Sequence, residues 1–371
     1  MGAPLSELDF TLVLGGGGLK GLAHVGVLSA LEELGIRPKE VVGSSIGALV
    51  GASWCAGTEA RELRAVAYQV RRRDIFRVAH TDMALKRMRS PALYRRSPLA
   101  ELTEGLLGNV TFEDLPHPVF VNTVDLNSGQ QVLWGVPGLR NVRVADAVYA
   151  SCALPGYLPP QEINGRYYAD GGTVENLPVA FAATRARSLI VAVDVGSTAI
   201  LRPEVHNQGF AAVYARSIEI ALQTMREQAL KHWSSPPLLF VQPRVDHVSW
   251  FSFRHNRELV REGYVAAKKM LSDINNIPTP DMTGVYPKRR VHLRVERNRC
   301  IGCGACLVHA PPGTFALDGS GKATLLEPEQ CWSPVDGGFV HQCPTSAIVA
   351  RALDGDRPSG ATERPKHPQI D

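Results

Sequence analysis

The chain has 371 residues, 44% hydrophobic and 20% charged, with a formal net charge of +4. At roughly 100–200 residues per domain this length predicts two or three domains, and the composition is that of an ordinary globular protein, which excludes a wholly disordered or membrane-embedded chain. The charge is too mild to suggest nucleic-acid binding, no apolar run reaches the ~18 residues of a transmembrane helix, and Met1 to Phe10 lacks the basic and apolar regions of a signal peptide, so a cytoplasmic protein is expected.

In chain order, Phe10 to Leu14 reads as a buried strand followed by the glycine run Gly15 to Gly18. Leu22, Val25, Leu28, Leu31 and Leu34 then recur at helical spacing until Gly35 stops the pattern. Val41 and Val42 begin a second strand that breaks at Gly43, and Ile46 to Ala56 is an apolar helix closed by Gly57. A further helix is predicted from about Thr58 to Tyr68. Between Arg71 and Arg96, nine Lys or Arg stand against Asp74 and Asp82, either as a solvated surface or as a patch that meets anionic lipid headgroups at the membrane periphery. Strands at Val119 to Val124 and Leu189 to Val195, and a helix from about Ala211 to His232, continue the alternation. Strands alternating with helices predict an α/β fold with a largely parallel central sheet flanked by helices, spanning residues 9–274. Asn275, Asn276, Pro278, Pro280, Gly284 and Pro287 then mark a linker at 275–290, a compact small domain follows at 291–352, and 353–371 reads as a disordered tail rich in Pro, Gly and charge.

Gly43-Ser44-Ser45-Ile46-Gly47 is a G-x-S-x-G between an apolar strand and an apolar helix, the context in which a serine sits on a sharp turn with its hydroxyl exposed. The helix behind Ser45 directs unsatisfied N–H groups at the same point, favouring negative charge there. Attack on a carbonyl develops an oxyanion, and the backbone amides of Gly16, Gly17 and Gly18 are the candidate donors that would hold it. The same glycines could form a dinucleotide-binding loop, but that fingerprint wants an acid at the end of the second strand, whereas Glu40 precedes it. Tyr168-Ala169-Asp170-Gly171-Gly172 adds a carboxylate before two glycines, a pattern that on its own is a turn. His24, four residues after Lys20, is a competing base, although a helical histidine is more often packed. Cys55 and Cys152 read as small core residues.

Cys300-Ile301-Gly302-Cys303-Gly304-Ala305-Cys306 has the C-x2-C-x2-C spacing that folds around one iron–sulfur cube. Ala310-Pro311 stands where a two-cluster ferredoxin would place a fourth cysteine, so a second cluster is not expected, and Cys343-Pro344 supplies the missing thiolate. Four thiolates predict one [4Fe-4S] cluster, with a [3Fe-4S] form open to the same ligands. A zinc knuckle is the competing reading, and Cys331, with no proline after it, is left unliganded. With Phe315-Ala316-Leu317-Asp318 and Ala347-Ile348, residues 291 to 351 resemble the small single-cluster ferredoxins, an α+β fold.

The glycine loop, the serine turn and the Asp-Gly-Gly together resemble the patatin-like phospholipase family, as do Ala150 to Gly156 with Pro159-Pro160, and Glu175-Asn176-Leu177-Pro178. The resemblance covers about residues 9 to 271. It implies a Ser-Asp dyad in which Ser45 attacks an ester carbonyl and Asp170 accepts its proton, giving an acyl-serine that water then cleaves. It further implies a lipid or acyl-ester substrate, with Lys20 fixing the glycine loop. The fused cluster domain suggests electron transfer with a redox partner protein, or redox sensing. The rival expectation is an electron-transfer protein whose larger domain is a lipid-binding scaffold.

Overall fold

The computed structural model describes residues 9–79, 92–185, 187–196, 207, 209–273 and 283–353. The chain divides into two compact units, Met1–Gly284 and Val285–Asp371. Half of the expected linker and nearly all of the expected tail lie outside the described residues, as does the centre of the basic Arg71–Arg96 segment.

The first unit is built on strands β1 (Phe10–Leu14), β2 (Glu40–Ser44), β3 (Val119–Asp125), β4 (Gln131–Trp134), β5 (Gln161–Ile163), β6 (Arg166–Asp170), β7 (Leu189–Val193) and β8 (Leu238–Val241). They run in the order β5-β6-β3-β2-β1-β7-β8, with β4 also paired to β3. β3, β2, β1, β7 and β8 are mutually parallel; β4, β5 and β6 pair antiparallel. Every residue of β1, β2, β3, β7 and β8 is buried, as a parallel sheet covered on both faces requires. Apolar runs announced β1, β2, β3 and β7, whereas β8 was not expected despite its run Leu238–Val241, and the short polar and aromatic β4–β6 edge gave no such signal. The strand order reverses at β1, and ligands of open α/β sheets bind beyond the strand C-termini at such a reversal.

Helix α1 (Ala23–Glu33) follows a short 3-10 turn at Gly18–Leu22, and α2 (Ile46–Cys55) follows β2 directly. α1 packs closely on the Asn256–Asp273 helix, and two glycines permit the approach. A Cβ on Gly26 would lie 1.9 Å from the Val260 carbonyl oxygen, and one on Gly263 would lie 1.8 Å from that of Ala23. Gly263→Ala should therefore lower stability by about 1–3 kcal/mol despite the ~1 kcal/mol by which alanine favours a helix, because both obstacles are backbone. Urea denaturation of the variant measures this; an unchanged or raised midpoint would mean the helices can separate without cost. Among the described residues no helix is long and apolar enough to cross a membrane.

The second unit is α+β. Arg289–Val295 is the middle strand of an antiparallel sheet between Glu329–Trp332 and Ile348–Ala352. Phe315–Leu317 and Ala323–Leu325 form a separate hairpin. Val291, Leu293, Phe315, Trp332, Phe339 and Ile348 form most of its small core, and Cys300, Cys306 and Cys343 pack against that core.

Candidate active site and cysteine cluster

The sequence motifs meet at the C-terminal ends of β1 and β2. Leu14 pairs with Gly43, so the glycine loop and the serine turn leave the sheet side by side. Ser45 has φ 52° and ψ −127°, a positive-φ conformation costly for a residue with a side chain, of order 1–3 kcal/mol. The glycines on either side make the turn sterically possible. A Cβ on Gly43 would lie 2.5 Å from Ala48 Cα, and one on Gly47 would lie 2.2 Å from the Leu14 carbonyl oxygen.

Asp170 reaches Ser45 from far along the chain through sheet register. Ser44 pairs with Asn122 across β2–β3, and Thr123 pairs with Asp170 across β3–β6, which sets the carboxylate beside the turn. The Asp170 carboxylate accepts hydrogen bonds from the Ser45 hydroxyl and, at 2.8 Å, from Gly172 N–H. It is 5% exposed. Burial pushes its pKa up to about 6, against the opposing pull of those two hydrogen bonds. A carboxyl near 6 is a far better proton acceptor than one at the ordinary value.

The two residues open onto an apolar cavity of about 230 Å³. Gly17 and Gly18 line it, together with Leu49, Leu154, Ile218 and Trp250. Of the three amides expected to hold an oxyanion, that of Gly16 already donates to Asn176 O at 3.0 Å, whereas Gly17 and Gly18 are part of the cavity wall. Asn176 also donates from Nδ2 to Gly16 O at 3.0 Å, clamping that peptide from both sides.

A second support lies beneath Ser45. Its N–H donates to Ser151 Oγ at 2.8 Å, and that hydroxyl donates onward to Asn122 O at 2.6 Å. The hydroxyl thus satisfies the amide of the strained residue and ties it to β3. Neither Ser151 nor Asn176 stood out by residue type; both lie within the stretches that carry the patatin-like resemblance, and that was the only available signal. Ser44 is fully buried, facing Asn122 Nδ2 at 3.4 Å, away from the cavity as its neighbour's exposure required.

His24 is not placed as a base. It is fully buried, burial lowers its pKa to about 4, and its Nε2 lies 2.8 Å from Gly15 O. Facing a carbonyl, that nitrogen carries the proton, so His24 fastens the start of the glycine loop. Lys20 is fully buried in the turn behind the same loop. Cys55 is a core residue, but Cys152 lines the cavity with Ser45 and Asp170, and burial followed by the Asp170 charge raises its thiol pKa well above the ordinary range. Trp250 and Phe251 belong to the cavity wall; Trp250 is buried.

In the second unit Cys300, Cys303, Cys306 and Cys343 line one small pocket, closed by Val295, Ile301, Leu317 and Ile348 among others. Gly302 and Gly304 both have φ 72°, which lets the chain wind past the three sulfurs, and a Cβ on Gly302 would meet Gly321 O at 2.6 Å. Backbone amides point at the sulfurs, Ala323 N–H to Cys300 Sγ at 3.4 Å and Ala347 N–H to Cys343 Sγ at 3.3 Å, as thiolates on an anionic cluster require. Among the described residues no three of these sulfurs lie within 4.8 Å of one another. A zinc tetrahedron with Zn–S near 2.3 Å would draw them to about 3.8 Å, so the wider cradle suits a cluster better than one ion. Cys331 is exposed on the Glu329–Trp332 strand, outside the pocket lining.

Residues 12–183 match the patatin-like phospholipases and residues 293–337 match the 4Fe-4S single cluster domain. The first unit is thus similar to the patatin-like phospholipases and the second to the 4Fe-4S single cluster domains. An uncharacterized NTE family protein of Mycobacterium tuberculosis is 33% identical over 187 residues, 50% of this chain and 49% of the relative. The lysophospholipase NTE1 of Yarrowia lipolytica is 28% identical over 325 residues, 80% of this chain and 22% of that protein. The chain thus spans about half the length of the first of these relatives and a smaller share of the second. Among solved structures, VipD from Legionella pneumophila aligns with a TM-score of 0.42 at 14% identity, covering 72% of this chain and 67% of VipD.

Proposed function

We propose that the first unit is a serine acyl hydrolase acting on lipid esters through Ser45 and Asp170. The observation that carries this is the buried carboxylate hydrogen-bonded to a hydroxyl on a strained strand-to-helix turn, at the wall of an apolar cavity. In this reading an acyl chain occupies the cavity, which puts the ester carbonyl against Ser45. The Ser45 oxygen attacks the carbonyl carbon as its proton passes to Asp170, and the Gly17 and Gly18 amides receive the oxyanion. Collapse expels the alcohol with that proton and leaves an acyl-serine. Asp170 then takes a proton from water as it attacks the acyl carbon, and returns it to Ser45 on release. The name of the yeast relative, a lysophospholipase, supports the lipid-ester class.

Cys300, Cys303, Cys306 and Cys343 are the residues that would hold an iron–sulfur cluster in the second unit. Bound there, the group supplies one-electron transfer or redox sensing.

Labelling with a fluorophosphonate followed by peptide mapping tests the nucleophile directly: the adduct is expected on Ser45, and a protein that takes no label contradicts the reading. The same preparation gives the pH dependence. Asp170 must be unprotonated to accept the Ser45 proton, so kcat/KM should rise with pH through about 6 and level off above it. A flat profile between about pH 5 and 8 would remove Asp170 from the role of base.

A further inference from the structure

The segment between β8 and the Asn256–Asp273 helix, together with the first turn of that helix, holds three side chains of metal-ligating type that no step above uses. His247 Nε2 lies 2.8 Å from one oxygen of Glu258 and His255 Nδ1 lies 2.8 Å from the other. One ligand atom from each of the three side chains lies within 4.8 Å of the other two, and among the described residues no other set of His, Cys, Asp or Glu gathers so closely. The side chains of His247, His255 and Glu258 are 54%, 40% and 36% exposed, so an ion can reach them from solvent.

We propose that His247, His255 and Glu258 form a binding site for a divalent cation of the zinc class, which staples together the two ends of the segment that carries Trp250 and Phe251. Metal–nitrogen and metal–oxygen bonds near 2.0–2.2 Å place tetrahedral ligand atoms about 3.3–3.5 Å apart. The present spacings, 2.8 Å for each imidazole–carboxylate contact and no more than 4.8 Å among the three atoms, lie close to that value, so small side-chain rotations convert two imidazole–carboxylate hydrogen bonds into three coordinate bonds. Two neutral imidazoles and one carboxylate match zinc and its neighbours, whereas calcium and magnesium call for an all-oxygen shell. Three protein ligands leave a fourth position for water.

Two of the ligands are already held in place. His255 and Glu258 stand three residues apart at the start of a helix, one turn in register, and only His247 comes from a distance. The stapled segment reaches the glycine loop: Trp250 O accepts Leu19 N–H at 2.9 Å and packs where a Cβ on Gly18 would lie, at 2.7 Å. Metal occupancy therefore restrains one wall of the cavity. Binding itself is independent of whether that cavity hydrolyses esters.

Titration of zinc chloride into the full-length, cluster-loaded chain, followed by calorimetry, reads the site. One equivalent should bind in the parent protein, and His247→Ala or His255→Ala should weaken that binding by more than about 100-fold, since loss of even an outer-shell partner costs 10–100-fold. The comparison between parent and variants cancels any zinc taken up at the cysteines. Hydrogen exchange of residues 247–256 should slow on zinc addition in the parent and not in the variants. Equal zinc uptake by parent and both variants, or no saturable binding by the parent, overturns the proposal and leaves the three residues as a hydrogen-bonded surface cluster.

Discussion

Replacing Ser45 with alanine is expected to lower ester hydrolysis by about 10⁴–10⁶-fold, the loss seen when an acyl-forming serine is removed from a site whose other parts act with it. The substitution keeps Cβ, so the backbone strain at φ 52° and the bond from the residue's N–H to Ser151 Oγ are untouched. The thermal midpoint should therefore stay close to that of the parent, which separates lost chemistry from lost folding. Asp170→Asn should cost on the order of 10²–10⁴-fold, the usual contribution of a general base, and should abolish the pH dependence near 6. Asparagine retains the shape but cannot take the proton. A short-chain p-nitrophenyl ester assay on the three proteins measures both effects. Equal rates in parent and Ser45→Ala would end the hydrolase reading and favour a scaffold that binds lipid without cleaving it.

The second large effect is expected at Cys343→Ser. With four thiolates a [4Fe-4S] cluster brings about four irons per chain and broad visible absorbance, and losing the ligand that closes the pocket should reduce both severely. Anaerobic purification with iron analysis gives the comparison. The core of the second unit is small and includes Cys300, Cys306 and Cys343 at its edge, so ligation and folding are coupled there. Hydrogen exchange in Arg289–Val295 and Ile348–Ala352 should therefore accelerate along with the iron loss. Cys331→Ser is the internal control: its thiol lies outside the pocket, and iron content should not change. If Cys331→Ser loses iron and Cys343→Ser does not, the fourth ligand has been misassigned.

How much of this was legible from the residues depends on how local each signal is. β1, β2, β3 and β7 could be read because both faces are covered and apolar residues dominate, most clearly in the unbroken run Leu189–Val193 of β7. The Gly43–Gly47 turn was legible because the motif, the strand before it and the helix after it are contiguous. The proximity of Asp170 to Ser45 was not local at all, since it depends on two ladders across β2, β3 and β6, and only the resemblance to a known family connected them. β4, β5 and β6 were missed because these short strands carry polar residues and no clear alternation, and β8 was missed because its apolar run is only four residues long. Ser151 escaped for a related reason: a serine in a helix is ordinary, and its role arises from what the fold sets beneath Ser45. The amide of Gly16 stood out as one of three equivalent donors, and only a hydrogen bond to Asn176 O distinguishes it from the other two.

The ladder that pairs Leu14 with Gly43 sets where two loops leave the sheet. It places the Ser45 turn at the tip of one strand and the glycine loop at the tip of the next. The gap between them is then set by the spacing of neighbouring strands in the most deeply covered part of the molecule. A substrate arriving here would meet a geometry that was completed when the polypeptide folded, with little left to reorganise at the moment of attack.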